Sequence, residues 1–129
     1  MSTDTTASVS THILDTSIGR PAEGVAITLA ARSGFDAEWV ALGGSATDAD
    51  GRCKDLPALP EATTHVRLDF EVETYFSKKQ AEAQQDAPRV RDSGAFFPEV
   101  AITFAVKPGE HYHVPLLLNP FGYSVYRGS

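Results

Sequence analysis

The side chains best suited to chemistry stand near the two ends of this 129-residue chain. His12 lies early in the sequence, whereas His111 and His113 lie late and two residues apart, so both project from one face of an extended strand. Histidine changes its charge near neutral pH and is therefore a natural general acid or base. The chain ends in four residues that offer an aromatic ring, a positive charge, close backbone approach and a hydroxyl: Tyr126, Arg127, Gly128 and Ser129. We infer that this terminus forms part of a site for a small planar anion.

Arg52 is a further candidate, since it follows the turn signal at residues 50–51, where a strand would begin. Its guanidinium group can fork onto a planar carbonyl or carboxylate, although an arginine in such a place is usually a solvated rim residue. The neighbouring Cys53 has no partner in sequence that would lower its pKa, and we interpret it as a small apolar side chain. Taken singly, His12 and His113 are more often structural than catalytic, so the residues alone leave both interpretations open.

The pair His111 and His113 has a spacing that can chelate zinc, but a zinc site needs at least a third protein ligand. The chain has a single cysteine and no other histidine at a metal-like spacing. We interpret His65, on the polar face of its strand, as a solvated surface residue. The sequence therefore predicts no bound metal.

Alternation of apolar and polar residues predicts strands along most of the chain. The pattern is clearest over residues 64–72, and weaker patterns cover 9–14, 25–31, 38–42, 100–106 and 111–118. Residues 73–85 are rich in good helix formers and predict one short helix, followed by an exposed loop over 86–94. About seven short strands, regular turn signals and a lone helix indicate an all-β, two-sheet β-sandwich.

The C-terminal stretch predicts a strand, a Pro/Gly turn and a second strand that runs to the chain end. Pro115 lacks a backbone N–H in the middle of the first of these strands. Proline within a sheet is confined to edges and bulges, so we expect this strand at an edge, at a bulge or at a subunit contact.

Length and composition indicate a single domain, which we assign to residues 8–129 after a disordered polar tail over 1–7. A net charge of −6 without a basic run argues against nucleic acid or an anionic membrane as a partner. One cysteine excludes an intrachain disulfide, no apolar run approaches transmembrane length, and the first residues lack the pattern of a signal peptide. We therefore expect a cytoplasmic protein.

Four blocks of the sequence together resemble the transthyretin-like family, and three of them resemble its branch of 5-hydroxyisourate hydrolases. Residues 10–22, STHILDTSIGRPA, are similar to the opening signature of the family. The other blocks are DADGRC at 48–53, FFPEV at 96–100 and the stretch 111–129, whose terminal YRGS is the most specific part. Asn119 and Val125 stand where the family usually has Ser and Thr, and residues 84–94 look longer than is common, which leaves the role of that loop open.

This resemblance implies a transthyretin-like two-sheet β-sandwich with one short helix, assembled as a homotetramer whose sites lie in a central channel. It also implies hydrolysis of 5-hydroxyisourate to 2-oxo-4-hydroxy-4-carboxy-5-ureidoimidazoline in urate degradation, with no cofactor or metal. The residues that the resemblance carries over as catalytic are His12, Arg52, His113 and Ser129. Those that it carries over as substrate-binding are His12, Arg52, Tyr126, Arg127 and Gly128.

Opening a cyclic amide requires a base for water, a stabiliser for the developing oxyanion and an acid for the leaving nitrogen. We expect His12 or His113 as the base, Arg52 as the oxyanion clamp, and Ser129 as a residue that orients the water. One alternative is a transthyretin-like carrier of small aromatic ligands that performs no chemistry, and another is a purely structural sandwich. The polar cluster argues against the carrier, which has little use for it.

Overall fold

Two β-sheets and one helix form the secondary structure of the computed structural model, which describes residues 6–83 and 95–128. The strands are β1 Ser8–Asp15, β2 Arg20–Pro21, β3 Ala26–Arg32, β4 Val40–Ala46, β5 Arg52–Cys53, β6 His65–Glu71, β7 Glu99–Ala105, β8 His111–Asn119 and β9 Gly122–Val125, and the helix is α1 Val72–Ala83. The first sheet has the strand order β2-β1-β8-β9, with β5 paired to β1 outside this path. The second sheet has the order β4-β3-β6-β7.

The core lies between the two sheets and is built by the alternation that the sequence displays. On β6, the side chains of Val66, Leu68 and Phe70 are fully buried, while the residues between them are partly exposed. They belong to the same buried cluster as Ile13 of β1 and Leu116 of β8. The predicted all-β, two-sheet sandwich with one short helix is confirmed.

Strand β4 extends to Ala46, whereas alternation predicts a strand over 38–42. Two glycines, Gly43 and Gly44, hide the alternation in this part of the sequence because they carry no side chain. A Cβ atom at Gly44 would collide with the carbonyl oxygen of Ile27 on β3. The glycine thus permits the close pairing that makes this segment a strand.

The helix begins at Val72, which the alternation predicts as the last residue of the preceding strand. The N–H groups of Val72 and Glu73 both donate to the carbonyl oxygen of Pro98, at 3.1 and 2.8 Å. This contact satisfies two of the free donors at the helix N-terminus, so the chain passes from β6 into α1 without a loop. No helix within residues 6–83 and 95–128 has the length and apolarity that a membrane span requires.

The first residues that the structure describes are already packed against the domain. Ala7 is buried, and the carbonyl oxygen of Thr6 accepts a hydrogen bond from the Gly109 N–H at 3.0 Å. Residues 6 and 7 of the predicted tail therefore pack against the sandwich, and the domain boundary at residue 8 stays a prediction. Residues 1–5 of the predicted tail, the predicted end of the helix at 84–85 and the predicted loop over 86–94 lie outside the described residues.

The edge position that Pro115 suggests is wrong, because β8 lies in the interior of the first sheet between β1 and β9, whereas the alternative of a subunit contact stays a prediction. Regular pairing with β9 begins only at Leu116, and beyond it the Tyr126 N–H donates to the Pro115 carbonyl at 3.4 Å. In an antiparallel ladder, the missing Pro115 N–H would have bonded Tyr126 in return. The sheet tolerates the proline because β9 ends at Val125, short of the predicted second strand to the chain end.

Candidate active site

Strands β1 and β8 come from opposite ends of the chain and lie side by side as a parallel pair. Their register sets Ser10 opposite His113 and His12 opposite Pro115. Since successive side chains along a strand point to opposite faces, the polar residues share one face and the intervening residues enter the core. We call this polar surface the seam face and define it by five residues: Ser8, Ser10, His12, His111 and His113.

His113 is a half-buried titratable group of this surface. Its Nδ1 atom lies 2.8 Å from Ser10 Oγ, and its ring centroid lies 6.4 Å from that of His12. Burial lowers the pKa of His113 below its usual value of 6.5, and the nearby charges of His12, Arg52 and His111 act in the same direction. The imidazole is therefore neutral at neutral pH, which is the form that accepts a proton.

Arg52 stands at the edge of the seam face because β5 pairs with β1 and sets Arg52 opposite His12. A tight turn holds it there, since the Asp48 carboxylate accepts a hydrogen bond from the Arg52 N–H at 3.0 Å. Gly51 has a φ of +74°, and a Cβ atom there would collide with the Ile13 carbonyl oxygen. The Arg52 side chain is exposed and forms no ion pair with the part of the chain that the structure describes, so it is available to a ligand.

The penultimate residue, Gly128, lies directly against His113. Its N–H donates to the His113 carbonyl oxygen at 2.7 Å, in an isolated antiparallel bridge. A Cβ atom at Gly128 would lie 2.9 Å from His113 Cδ2, closer than Cβ atoms pack, and 3.1 Å from Pro115 Cγ, which is a tight contact. Only glycine allows this approach, which is the role that the sequence predicts for Gly128.

Arg127 is directed away from the seam face. Its guanidinium carbon lies 4.4 Å from the ring centroid of Tyr112, and its Nη2 atom lies 3.2 Å from Glu110 Oε1. Tyr112 precedes His113 on β8 and projects from the opposite face of the sheet. The structure therefore does not bring Arg127 together with His12, Arg52 and His113.

Tyr126 is 57% exposed, and its N–H donates to the Pro115 carbonyl oxygen. With Arg127 it lines a cavity of about 260 Å³ at the edge of the sandwich, whose remaining walls are Ile102, Phe104, Ala105, Tyr112, Val114 and Val125. Ser129, the last predicted site residue, lies outside the described residues. Of the predicted terminal residues, Gly128 is the one that the structure joins to the histidines.

Cys53 follows Arg52 but points to the opposite side of β5. Its side chain is buried in the core cluster, and burial raises the pKa of its thiol. A thiol that is enclosed and protonated is a poor nucleophile. The interpretation of Cys53 as a small apolar side chain is confirmed.

Ser8, Ser10 and the hydrogen bonds of His111 are features that sequence reasoning missed. Ser8 Oγ lies 2.6 Å from His111 Nδ1, and Ser10 Oγ lies 2.9 Å from His111 Nε2. The sequence does contain the signal, because Ser-x-Ser and His-x-His have the same spacing of two residues. Pairing the two motifs requires the parallel register of β1 and β8, which alternation within each strand does not reveal.

Comparison with known proteins places this fold and these residues in one family. The sequence model of the HIUase/Transthyretin family matches residues 9–128 of this chain. The chain belongs to this family. A curated relative, the 5-hydroxyisourate hydrolase of Salmonella dublin, is 41% identical over 123 residues, which cover 94% of this chain and 80% of the relative.

Two solved structures extend the likeness within the HIUase/Transthyretin family to three dimensions. The 5-hydroxyisourate hydrolase of Klebsiella pneumoniae has a TM-score of 0.71 and 32% identity, over 94% of this chain and 98% of its own. An (S)-allantoin synthase has a TM-score of 0.76 and 31% identity over 98% of this chain, which spans 45% of that larger chain.

Membership of the HIUase/Transthyretin family confirms the resemblance that the sequence blocks indicate. The matched region contains Arg52, Gly128 and every seam-face residue except Ser8. Within residues 6–83 and 95–128, no group of three or more His, Cys, Asp and Glu side chains is arranged to hold a metal ion. The individual roles of His12, Arg52 and His113 remain predictions, which the chemistry below makes specific.

Proposed function

We propose that this protein is a 5-hydroxyisourate hydrolase, which converts 5-hydroxyisourate to 2-oxo-4-hydroxy-4-carboxy-5-ureidoimidazoline in urate degradation. The observation that carries the proposal is the convergence of His12, Arg52 and His113 on one exposed surface of the first sheet. The names of the Salmonella and Klebsiella relatives supply the substrate. Ring opening by water requires a base and a group that stabilises the oxyanion, which a neutral histidine and a free guanidinium group can supply.

His113 acts as the base in this mechanism because its lowered pKa keeps the imidazole neutral. Water attacks the ring carbonyl carbon, and His113 takes one proton from that water. The carbonyl π electrons move onto oxygen, where the charge of Arg52 stabilises them. As the oxyanion collapses, the C–N bond breaks and the leaving nitrogen receives the proton from His113. The product carries a new carboxylic acid, which releases its own proton to solvent and becomes a carboxylate.

His12 binds and orients the substrate in the same mechanism. Its ring stands 6.4 Å from that of His113, so both rings can contact one small heterocycle. Arg52, directly opposite His12 in the sheet, reaches the same ligand from the side. Holding the reacting carbonyl between these groups turns an encounter with water into an oriented attack.

We extend the proposal to the chain terminus. Gly128 lies against His113 and is the neighbour of Ser129 in sequence, which supports a role for Ser129 in orienting the attacking water. Tyr126 would line the substrate pocket, and Arg127 would bind substrate only after leaving Glu110 and Tyr112. A C-terminal tag should therefore impair turnover, whereas the same tag at the N-terminus should not. Equal rates for the two tagged proteins would remove the terminus from the site.

We also propose that the protein assembles as a homotetramer around a central channel. The support is the open seam face of the first sheet, together with the exposed aromatic side chains of Phe121 in the turn after β8 and Tyr123 on β9. Isolated subunits would leave these aromatic rings in water. Light scattering on the purified protein should give four times the mass of 13.8 kDa, and a monomer would contradict this assembly.

We propose the cytoplasm as the compartment of this enzyme. The support is the single cysteine, Cys53, whose thiol is free and buried and takes part in no disulfide. Cell fractionation with an antibody against the protein tests the assignment, and recovery in a secreted or periplasmic fraction would overturn it.

The reaction itself is tested by following 5-hydroxyisourate in ¹⁸O-labelled water by NMR and mass spectrometry. The protein should speed the appearance of the ring-opened product, with one ¹⁸O atom in its new carboxylate. A folded protein that binds small aromatic ligands without speeding ring opening would support the carrier instead.

A further inference from the structure

We infer that Ser10 and His111 are positioning residues, which decide which ring nitrogen of His113 carries the proton. This inference rests on the proposed function insofar as His113 is the base. It starts from an unbroken row of side chains on the seam face, in the order Ser8, His111, Ser10 and His113. The three successive contacts measure 2.6, 2.9 and 2.8 Å, all within hydrogen-bond distance.

Ser10 couples the two histidines because its hydroxyl has one proton but two ring nitrogens as neighbours. When it donates to one of them, it accepts from the other. A neutral imidazole likewise carries one proton and one lone pair, so the choice made at Ser10 fixes the tautomers of both rings. The row can therefore take one of two opposite directions.

In the first direction, His113 Nδ1–H donates to Ser10, and the Ser10 hydroxyl donates to His111 Nε2. His111 then carries its proton on Nδ1 and donates it to Ser8 Oγ. The lone pair of His113 Nε2 is left free, and that is the atom able to take a proton from water. This direction makes His113 a base.

In the opposite direction, Ser8 donates to His111 Nδ1, His111 Nε2–H donates to Ser10, and Ser10 donates to His113 Nδ1. His113 then carries its proton on Nε2 and has no lone pair there for a water molecule. His111 selects between the two directions. In the first direction its Nε2 atom accepts the Ser10 proton, and in the second its Nε2–H occupies Ser10, so that Ser10 cannot donate to His111. Ser8 completes the selection as an acceptor for His111 Nδ1–H.

The first direction is compatible with proton transfer to His113. Protonated His113 also keeps a proton on Nδ1, so Ser10 accepts from His113 both before and after proton transfer. The hydrogen bond to Ser10 thus holds the ring orientation throughout the reaction. Ser10 acts on catalysis through His113 without contacting the substrate.

The test is ¹⁵N NMR of the imidazole nitrogens, which reports the tautomer of His113 independently of turnover. In the unaltered protein, Nδ1 should carry the proton and Nε2 should not. Ser10→Ala and His111→Phe should each shift His113 toward the Nε2–H tautomer, while Ser10→Thr, which keeps the hydroxyl, should restore the original spectrum. His65→Ala, on the second sheet, is the matched control and should change nothing at His113.

Turnover supplies the second measurement. Ser10→Ala should lower kcat by about tenfold or more with little change in KM, because a wrong histidine tautomer impairs the base while leaving substrate contacts in place. Ser10→Thr should recover most of that loss. An unchanged His113 tautomer in folded Ser10→Ala would overturn the positioning role. A tautomer that shifts in a protein without hydrolase activity would uphold the role and overturn the proposed function alone.

Discussion

The two faces of the β1–β8 pair carry opposite kinds of residue although they share one backbone. One face packs Ile13, Leu116 and Leu118 into the core at 1% exposure or less. The other face presents His12 and His113 at the surface, within reach of Arg52. Period-two alternation keeps the faces apart, so a change on one face should affect folding and a change on the other should affect chemistry.

Among the variants that compare the two faces, the largest effect is expected on the seam face, at Arg52. Arg52→Ala should reduce kcat by about 10²–10³-fold, because the charge that stabilises the oxyanion is lost. The midpoint of thermal unfolding should hardly move, since the side chain is exposed and has no ion-pair partner among the described residues. Steady-state rates and a thermal melt of the same preparation check both statements. A variant with near-normal turnover would remove the clamp from the mechanism.

On the core side, Leu116→Ala should lower the free energy of unfolding by about 2–5 kcal/mol, because it empties a fully enclosed site. Leu117→Ala is the matched control, since Leu117 is the next residue and lies on the seam side with partial exposure. The control should lose clearly less stability. Urea unfolding compares the two, and equal losses would show that the two faces are not energetically distinct.

A smaller effect on kcat is expected at Gly128, where the chain end contacts His113 of the seam face. Gly128→Ala places a methyl group within 2.9 Å of His113 Cδ2 and should push the ring out of line. A displaced base should cost about tenfold in kcat. Gly122→Ala is a suitable control, because its nearest neighbour would be Asn119 Oδ1 at 3.9 Å. Equal rates in the two variants would argue that Gly128 has no part in placing His113.

The smallest change concerns the charge environment of His113. Its pKa should lie below the usual 6.5, and Arg52→Gln should raise it because one of the positive charges that disfavour the imidazolium is removed. Burial and the charges of His12 and His111 remain, so the pKa should rise only part of the way. An NMR titration of His113 measures the shift. A lower pKa in Arg52→Gln would mean that the two groups do not interact as the structure indicates.

Local patterns predicted much of the fold because alternation reflects burial directly, as on β6. They failed where the deciding contact is distant in sequence. Pro115 suggests an edge strand, yet β8 is central in its sheet. The sheet tolerates the proline because the neighbouring strand β9 ends before Pro115 would need a partner. The helix start at Val72 likewise depends on the distant Pro98 carbonyl.

The candidate site divides in the same way. Residue types made His12, Arg52 and His113 candidates but left a structural role open, and the resemblance to the transthyretin-like family selected them as site residues. The direction of the Arg127 side chain could not be predicted. It depends on the Tyr112 ring and the Glu110 carboxylate, which contact its guanidinium group on the other side of the sheet. The partnership of Ser10 with His113 required the parallel register of two strands from opposite chain ends.

The central claim is that the seam face hydrolyses 5-hydroxyisourate, and ultraviolet decay of this compound tests it most directly. The substrate is generated in situ from urate and urate oxidase, and its decay is followed with the unaltered protein, His113→Ala and His65→Ala. We predict decay far above the spontaneous rate for the unaltered protein and His65→Ala, and a loss of about 10²–10⁴-fold for His113→Ala. No acceleration by the folded protein, or full activity in folded His113→Ala, would contradict the claim.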